Sequence, residues 1–215
     1  MGSSLLLLCV ISAITSTSYS LSCIQCSDAS DVPCTGSEQT CSLPHEVCVS
    51  RYALTLVAGV PISKLFIRGC GDPDQCTISG SMSVPNVRTI ASATCCSTDL
   101  CTPPPPELPP VTSDQNGVVC KSCQAMEDSP CDSDNYMNCV GNETMCISQV
   151  TITGSSSIAV RGCATPGLCQ IPHEEGTFGH MTFISDTTCT DGGAGLHYGL
   201  YLLGVTLLCV FKVVP

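Results

Sequence analysis

Two Cys-x-x-Cys pairs, Cys23/Cys26 and Cys120/Cys123, stand out among the residues able to do chemistry. In a reducing compartment such pairs hold zinc or exchange thiols. In an oxidising one they open disulfide frameworks. The histidines add little. His173-Glu174-Glu175 lacks the His-Glu-x-x-His spacing that puts two metal ligands on one helix face. It precedes a strand-like run from Phe178 to Ile184 and reads as a solvated acidic loop. His45 and His180 stand apart from it. The sequence holds no Gly-x-Ser-x-Gly elbow and no phosphate-cradling glycine loop. No nucleophile, base and oxyanion donor are brought into one pattern, so the expectation is a protein that is not an enzyme and takes no metal or cofactor.

The cysteine count decides between zinc and disulfides. Twenty of 215 residues are cysteine, a share that marks a disulfide scaffold in a secreted chain. The chain has no Trp and 4% aromatics, which argues against one large apolar core. Seven Lys and Arg face 18 Asp and Glu, a net charge of −11. That balance cannot supply the positive surface nucleic acid needs.

Both ends read as processing signals. Leu5 to Ile14 is an apolar run broken only by Ser12, and Ser18-Tyr19-Ser20 fits a small-x-small cleavage site. The expectation is a signal peptide over 1–20, with the cut after Ser20. It has no Lys or Arg in its n-region; the competing reading is a buried N-terminal strand. At the other end, Asp191-Gly192-Gly193-Ala194-Gly195 precedes the largely apolar stretch Leu200 to Phe211. Small residues, a short spacer and an apolar tail point to a glycosylphosphatidylinositol (GPI) attachment signal over 192–215, with Gly192 as the attachment site. A single transmembrane helix competes with it. The run of about 12–16 residues is short against the ~20 a span needs, and only Lys212 follows it. The expected address is the outer face of the plasma membrane, with a secreted form as the alternative.

The eighteen cysteines between those ends form a repeat. The first set reads C-x2-C-x7-C-x6-C-x6-C-x21-C-x5-C-x18-C from Cys23 to Cys95, then Cys96 and Cys101. The second reads C-x2-C-x7-C-x7-C-x6-C-x16-C-x5-C-x19-C from Cys120 to Cys189. Four of the seven shared gaps are identical, and Arg-Gly-Cys recurs at Arg68-Gly69-Cys70 and Arg161-Gly162-Cys163. Self-similarity at this period means two copies of one small domain. The expected division is 21–102 and 120–191, with a linker at 103–119. Six prolines between Pro103 and Pro110 favour polyproline II and a stiff spacer of about 25 Å. Each copy holds two strand-forming runs around a turn, at Ala58-Gly59-Val60-Pro61 and Gly154-Ser155-Ser156-Ser157. These predict antiparallel hairpins pinned at their bases by cysteines.

Leu21-x-Cys23-x-x-Cys26 at the start, Cys95-Cys96-x4-Cys101 at the end and the hairpin between them carry a resemblance. They look like the urokinase-receptor and lymphocyte-antigen-six branch of the three-finger superfamily, over residues 21 to 191. The implied fold is all-β, with two disulfide-rich three-finger domains in tandem. Spacing leaves the pairing open. The family pattern implies Cys23–Cys48, Cys26–Cys34, Cys41–Cys70, Cys76–Cys95 and Cys96–Cys101, then Cys120–Cys146, Cys123–Cys131, Cys139–Cys163 and Cys169–Cys189. Two departures stand out. Thr102 replaces the family's usual Asn after the last cysteine, and the second copy lacks the final bridge. Ten cysteines, then eight, with Asn116-Gly117-x-x-Cys120 opening the second copy, also resemble the gamma-type inhibitors of secreted phospholipase A2.

The implied function is binding of an extracellular protein, as a receptor or adhesion module, or alternatively inhibition of a secreted phospholipase A2. Two surfaces are candidates. Leu56, Val57, Val60, Pro61 and Ile62 form an apolar loop tip, of the kind that marks a contact surface unless the second copy packs over it. Glu127, Asp128, Asp132 and Asp134 concentrate charge in the second copy, which has nine acidic and two basic residues over 120–191. They read as solubilising charge or as a steering face for a basic partner. Asn142-Glu143-Thr144 is the only N-glycosylation sequon, so Asn142 is expected to be surface-exposed and glycosylated.

Overall fold

The computed structural model describes residues 20–30, 32–127, 131–132, 134–170, 173–178 and 181–192. The expected signal peptide, but for Ser20, and the expected attachment signal beyond Gly192 lie outside them. The chain folds as tandem three-finger units. The first holds β1 (Ser22–Asp28), β2 (Ser37–Thr40), β3 (Val47–Val57), β4 (Val60–Gly71), β5 (Ser79–Val84) and β6 (Val87–Cys96). The second holds β7 (Gln115–Lys121), β8 (Cys123–Met126), β9 (Tyr136–Val140), β10 (Met145–Thr153), β11 (Ser156–Ala164), β12 (His173–Phe178) and β13 (Met181–Asp191). Short 3-10 turns at Pro73–Thr77 and Pro166–Gln170 follow the second finger of each unit.

The long fingers form where β-branched residues alternate. Their turns are tighter than the sequence predicts, two residues rather than four. Val57 pairs with Val60 across Ala58-Gly59, and Thr153 with Ser156 across Gly154-Ser155. Ala58 and Gly59 both have positive φ, at 49° and 81°, the backbone that a two-residue hairpin turn needs to match strand twist.

Sulfur replaces aromatic bulk in the cores. Cys23, Cys41 and Cys48 are buried together under Leu21, Cys70 and Cys96. Cys120, Cys139 and Cys163 do the same under Val118, Met137 and Cys146. The one large fully buried aromatic among the described residues, Phe66, is 2% exposed. Tyr52 tilts against it and the Arg68 guanidinium lies over its ring, 5.3 Å from the centroid.

The two units share one sheet. Strand order runs β12-β13-β10-β11-β5-β6-β3-β4-β1-β2, with β8 also on β11. The join is β5 against β11, where Cys163 faces Ser83 and Ala164 faces Met82. Beyond it, Thr165 N–H donates to the Ser81 carbonyl at 2.9 Å, and Ser81 N–H to Thr165 Oγ1 at 3.2 Å. Leu168 of the second unit packs on the Val49, Ile78 and Ala93 cluster of the first.

The proline run therefore separates nothing. Thr94 Oγ1 donates to the Pro104 carbonyl, and Arg88 Nη1 to the Thr112 carbonyl at 2.9 Å. Thr94 and Arg88 share one face of β6, so the run lies back along that strand. Pro103 and Pro106 are buried while Pro104 and Pro105 are exposed, the three-residue period of polyproline II. The run is stiff, but it is a strap on the first unit. Strand β7 begins at Gln115, inside the stretch read from sequence as linker.

Candidate functional site

Nine disulfides hold the fingers: Cys23–Cys48, Cys26–Cys34, Cys41–Cys70, Cys76–Cys95, Cys96–Cys101, Cys120–Cys146, Cys123–Cys131, Cys139–Cys163 and Cys169–Cys189. They are the pairs the family resemblance implies. Among the described residues, three groups of cysteine sulfurs lie close enough to suggest a metal, but every member is in a disulfide, so none offers a thiolate. Two hydrogen bonds tie the end of the first unit, just before Thr102, to its first strand. Asp99 Oδ1 accepts from Ser22 N–H at 2.8 Å, and Leu100 N–H donates to the Ser22 carbonyl at 2.8 Å. In the second unit Gly192 N–H donates to the Thr144 carbonyl at 3.0 Å. Gly192 thus sits against the body of the second unit, where a Cβ would meet Val118 and Thr144.

The apolar tip stands clear of the second unit. Val60 and Ile62 are 61% and 62% exposed, with Pro61 exposed between them. Leu56 and Val57 are half-buried, and a register irregularity between Thr55 and Leu56 turns the finger end.

The acidic finger is partly spent on its own unit. Asp132 pairs with Arg161 at 3.7 Å, and Asp134 with Lys121 at 3.6 Å, engaging both basic residues of the second unit. Glu127 is exposed, with a positive φ of 58° at the end of β8. Asp128 lies outside the described residues, as does His180. Asn142 and Thr144 lie in the loop between β9 and β10, where both are exposed.

Glu143, between them, is fully buried and points into the other unit. Its Oε1 accepts from Ser81 Oγ at 2.5 Å and Ser83 Oγ at 2.9 Å, and pairs with Arg88 Nη2 at 3.1 Å. Sequence reasoning missed this residue because all three partners lie in the other copy.

His173-Glu174-Glu175 is strand, where the sequence suggested a loop, because β12 pairs in full register with β13. Alternation then sends its side chains to opposite faces. His173 lies between Asp186 (2.7 Å from Nδ1) and Glu175 (3.3 Å from Nε2). The hydrogen bond to Asp186 chiefly, then that to Glu175, raises its pKa above 6.5. Glu174 turns to the other face and pairs with Arg51 of the first unit, whose Nη2 also donates to Gln75 Oε1 at 2.9 Å.

Behind that pair lies a cleft between the units that no sequence pattern marked. Ala53, Ile67 and Ala91 line one wall and Ile147, Leu168 and Phe183 the other, around a cavity of about 330 Å³. Gln149 Nε2 donates to Ser185 Oγ at 3.0 Å and to Thr187 Oγ1 at 3.2 Å within it. Among the described residues, no helix is long and apolar enough to cross a membrane.

Comparison with known proteins places this arrangement. The u-PAR/Ly-6 domain model matches twice, over residues 19–104 and 116–193. The chain is 33% identical to the urokinase plasminogen activator surface receptor of Aotus trivirgatus, over 80% of this chain and 52% of that protein. It is 29% identical to the receptor of the same name in Bos taurus, over 80% of this chain and 53% of that one. It spans about half the length of these relatives. It is 26% identical to a phospholipase A2 inhibitor of the gamma type from Gloydius brevicaudus siniticus, over 87% of this chain and 95% of that protein. With two matched repeats, nine disulfides and three fingers in each unit, the chain belongs to the u-PAR/Ly-6 domain family.

Proposed function

We propose that this chain is a non-catalytic receptor- or adhesion-type module that binds an extracellular protein through the second-finger tip of its first unit. The proposed precursor loses 1–20, keeps domains at 21–102 and 120–191, carries a glycan on Asn142 and is GPI-anchored at Gly192 in place of 193–215. The observation that carries the reading is the exposure of Val60 and Ile62 on a two-residue turn. An aliphatic pair held out on a stiff hairpin loses little conformational freedom on docking. Kinship to urokinase receptors supports a receptor role. The test is binding of cells displaying the chain to immobilised urokinase-type plasminogen activator, with Val60→Ser/Ile62→Ser as the control. Binding that the double variant weakens about tenfold or more supports the tip; equal binding by both removes it. Release of the chain from cells by phosphatidylinositol-specific phospholipase C tests the anchor.

A second reading is inhibition of a secreted phospholipase A2. It is favoured by the alignment to a gamma-type inhibitor over nearly that protein's whole length. The acidic Glu127, Asp128, Asp132 and Asp134 would steer a basic enzyme. Unchanged phospholipase activity at micromolar protein sinks it.

A further inference from the structure

We propose that the cleft between the two units binds a single-chain lipid with a zwitterionic head group, a ligand distinct from the protein partner at the finger tip. The cavity has the size and apolar lining of a small-molecule pocket, near the lower end of the usual range of about 300–1,000 Å³. That size accommodates one chain.

What the walls withhold identifies the chain as hydrocarbon. Strand β3 is hydrogen-bonded to β4 on one side and β6 on the other, and β10 to β11 and β13. Neither central strand has a free backbone edge to offer a peptide. Of the polar side chains inside, Gln149 is taken up by Ser185 and Thr187, and Thr89 hydrogen-bonds Thr55 at 3.4 Å. A peptide entering there would leave its own amides unmet, which disfavours it. An acyl chain brings no such demand.

The mouth selects the head. Arg51, Ile67, Glu174 and Phe183 line both this cavity and an adjoining one of about 230 Å³, to which Glu46 and Glu175 contribute. Arg68 lines the adjoining cavity as well, so two guanidiniums face three carboxylates there, one more negative charge than positive. A purely anionic head meets net repulsion there. A zwitterion can set its phosphate on Arg51, whose five donors are shared so far between Glu174 and Gln75, and its cation among Glu46, Glu174 and Glu175.

The experiment uses three photoactivatable lipids with the same diazirine-bearing chain: lysophosphatidylcholine, a free fatty acid and a monoacylglycerol. Each is added to cells expressing the full chain, and the labelled peptides are mapped. The expected result is labelling of the segments around Ala53 and Ile147 by lysophosphatidylcholine, about tenfold or more above the other two. Ala53→Leu, which fills the cavity, should abolish that labelling; Ala91→Leu serves if Ala53→Leu fails to fold. Glu46→Gln/Glu175→Gln should narrow the preference over the fatty acid. Labelling that is absent, equal for all three heads, located elsewhere or indifferent to the filling variants overturns the proposal.

Discussion

Glu143 occupies the middle of a glycosylation sequon, a position where any residue but proline serves. The fold uses it for something else. Its carboxylate is fully buried against Ser81, Ser83 and Arg88 of the other unit. Glu143→Ala would take the acceptor from two serine hydroxyls and leave Arg88 without its counter-charge, held only by the Thr112 carbonyl and Ser81 Oγ. Breaking a buried pair in this way costs about 3–5 kcal/mol, with the lower end expected because Arg88 keeps some access to solvent. Chemical denaturation would read it. Replacing both partners, as Glu143→Met/Arg88→Met, should recover most of the loss, since a matched apolar pair carries no orphaned charge. His173 supports a second prediction at this scale. Its pKa lies above 6.5 in the folded chain because Asp186, then Glu175, hydrogen-bond its charged form. A raised value means the protonated bridge stabilises β12 fully below about 6.5. That contribution is lost as pH climbs through the raised value. An NMR titration of the imidazole should show the shift, and His173→Gln should flatten the pH dependence of the melting temperature across that window. A titration centred at or below 6.5 would contradict it.

The strands were largely legible in the sequence, because a hairpin is local, whereas the pairing of the cysteines came from the family resemblance, since spacing left it open. Val47–Val57 and Val60–Gly71 announce themselves by alternation, and Cys48 and Cys70 face each other at their base. Chain entropy then orders the bridges. Cys41–Cys70 closes a separation of 29 residues and Cys96–Cys101 one of five. The loop-closure model gives roughly 3.6 and 2.2 kcal/mol for them. Paired Ala substitution of the first should therefore lower stability by about 1.4 kcal/mol more than the second, as measured by denaturant midpoints. Equal losses would mean that the buried contacts of these sulfurs outweigh their cross-linking. The candidate tip was legible for the same local reason: apolar residues around Ala58-Gly59 have no neighbour in sequence to hide them. The cleft was not. Ala53, Ala91 and Ile147 are ordinary strand residues until β5 pairs with β11, and no periodicity within one copy encodes a pairing between copies. The strap was hidden similarly, since a polyproline II run reads the same whether it spans solvent or lies on β6.

Contacts at separate places make the pair of units one mechanical body. The β5–β11 join carries the sheet across. On one face Glu143 reaches Ser81, Ser83 and Arg88. On the other, Arg51 pairs with Glu174 across the cleft. Domains this small bury only about 60% of the surface their unfolded chains expose, so each gains from its neighbour as well as from its disulfides. The whole chain should accordingly unfold in one calorimetric transition, with matching van't Hoff and measured enthalpies. The join is also where the body is most easily cut. A Cβ on Gly80 would come within 1.8 Å of Thr165 Oγ1, so Gly80→Val must push Thr165 away and with it the bond to Ser81. That variant should split the melt into two transitions while leaving each unit's disulfides intact. Because cleft and tip depend differently on the join, their activities should part company in the same protein. The cleft needs walls from both units and should lose its lipid. The tip is built wholly from β3 and β4 and should keep its partner, with affinity within about threefold of the parent. Two transitions in the unaltered chain, or loss of tip binding alongside the cleft, would show that the units do not share one body in this way.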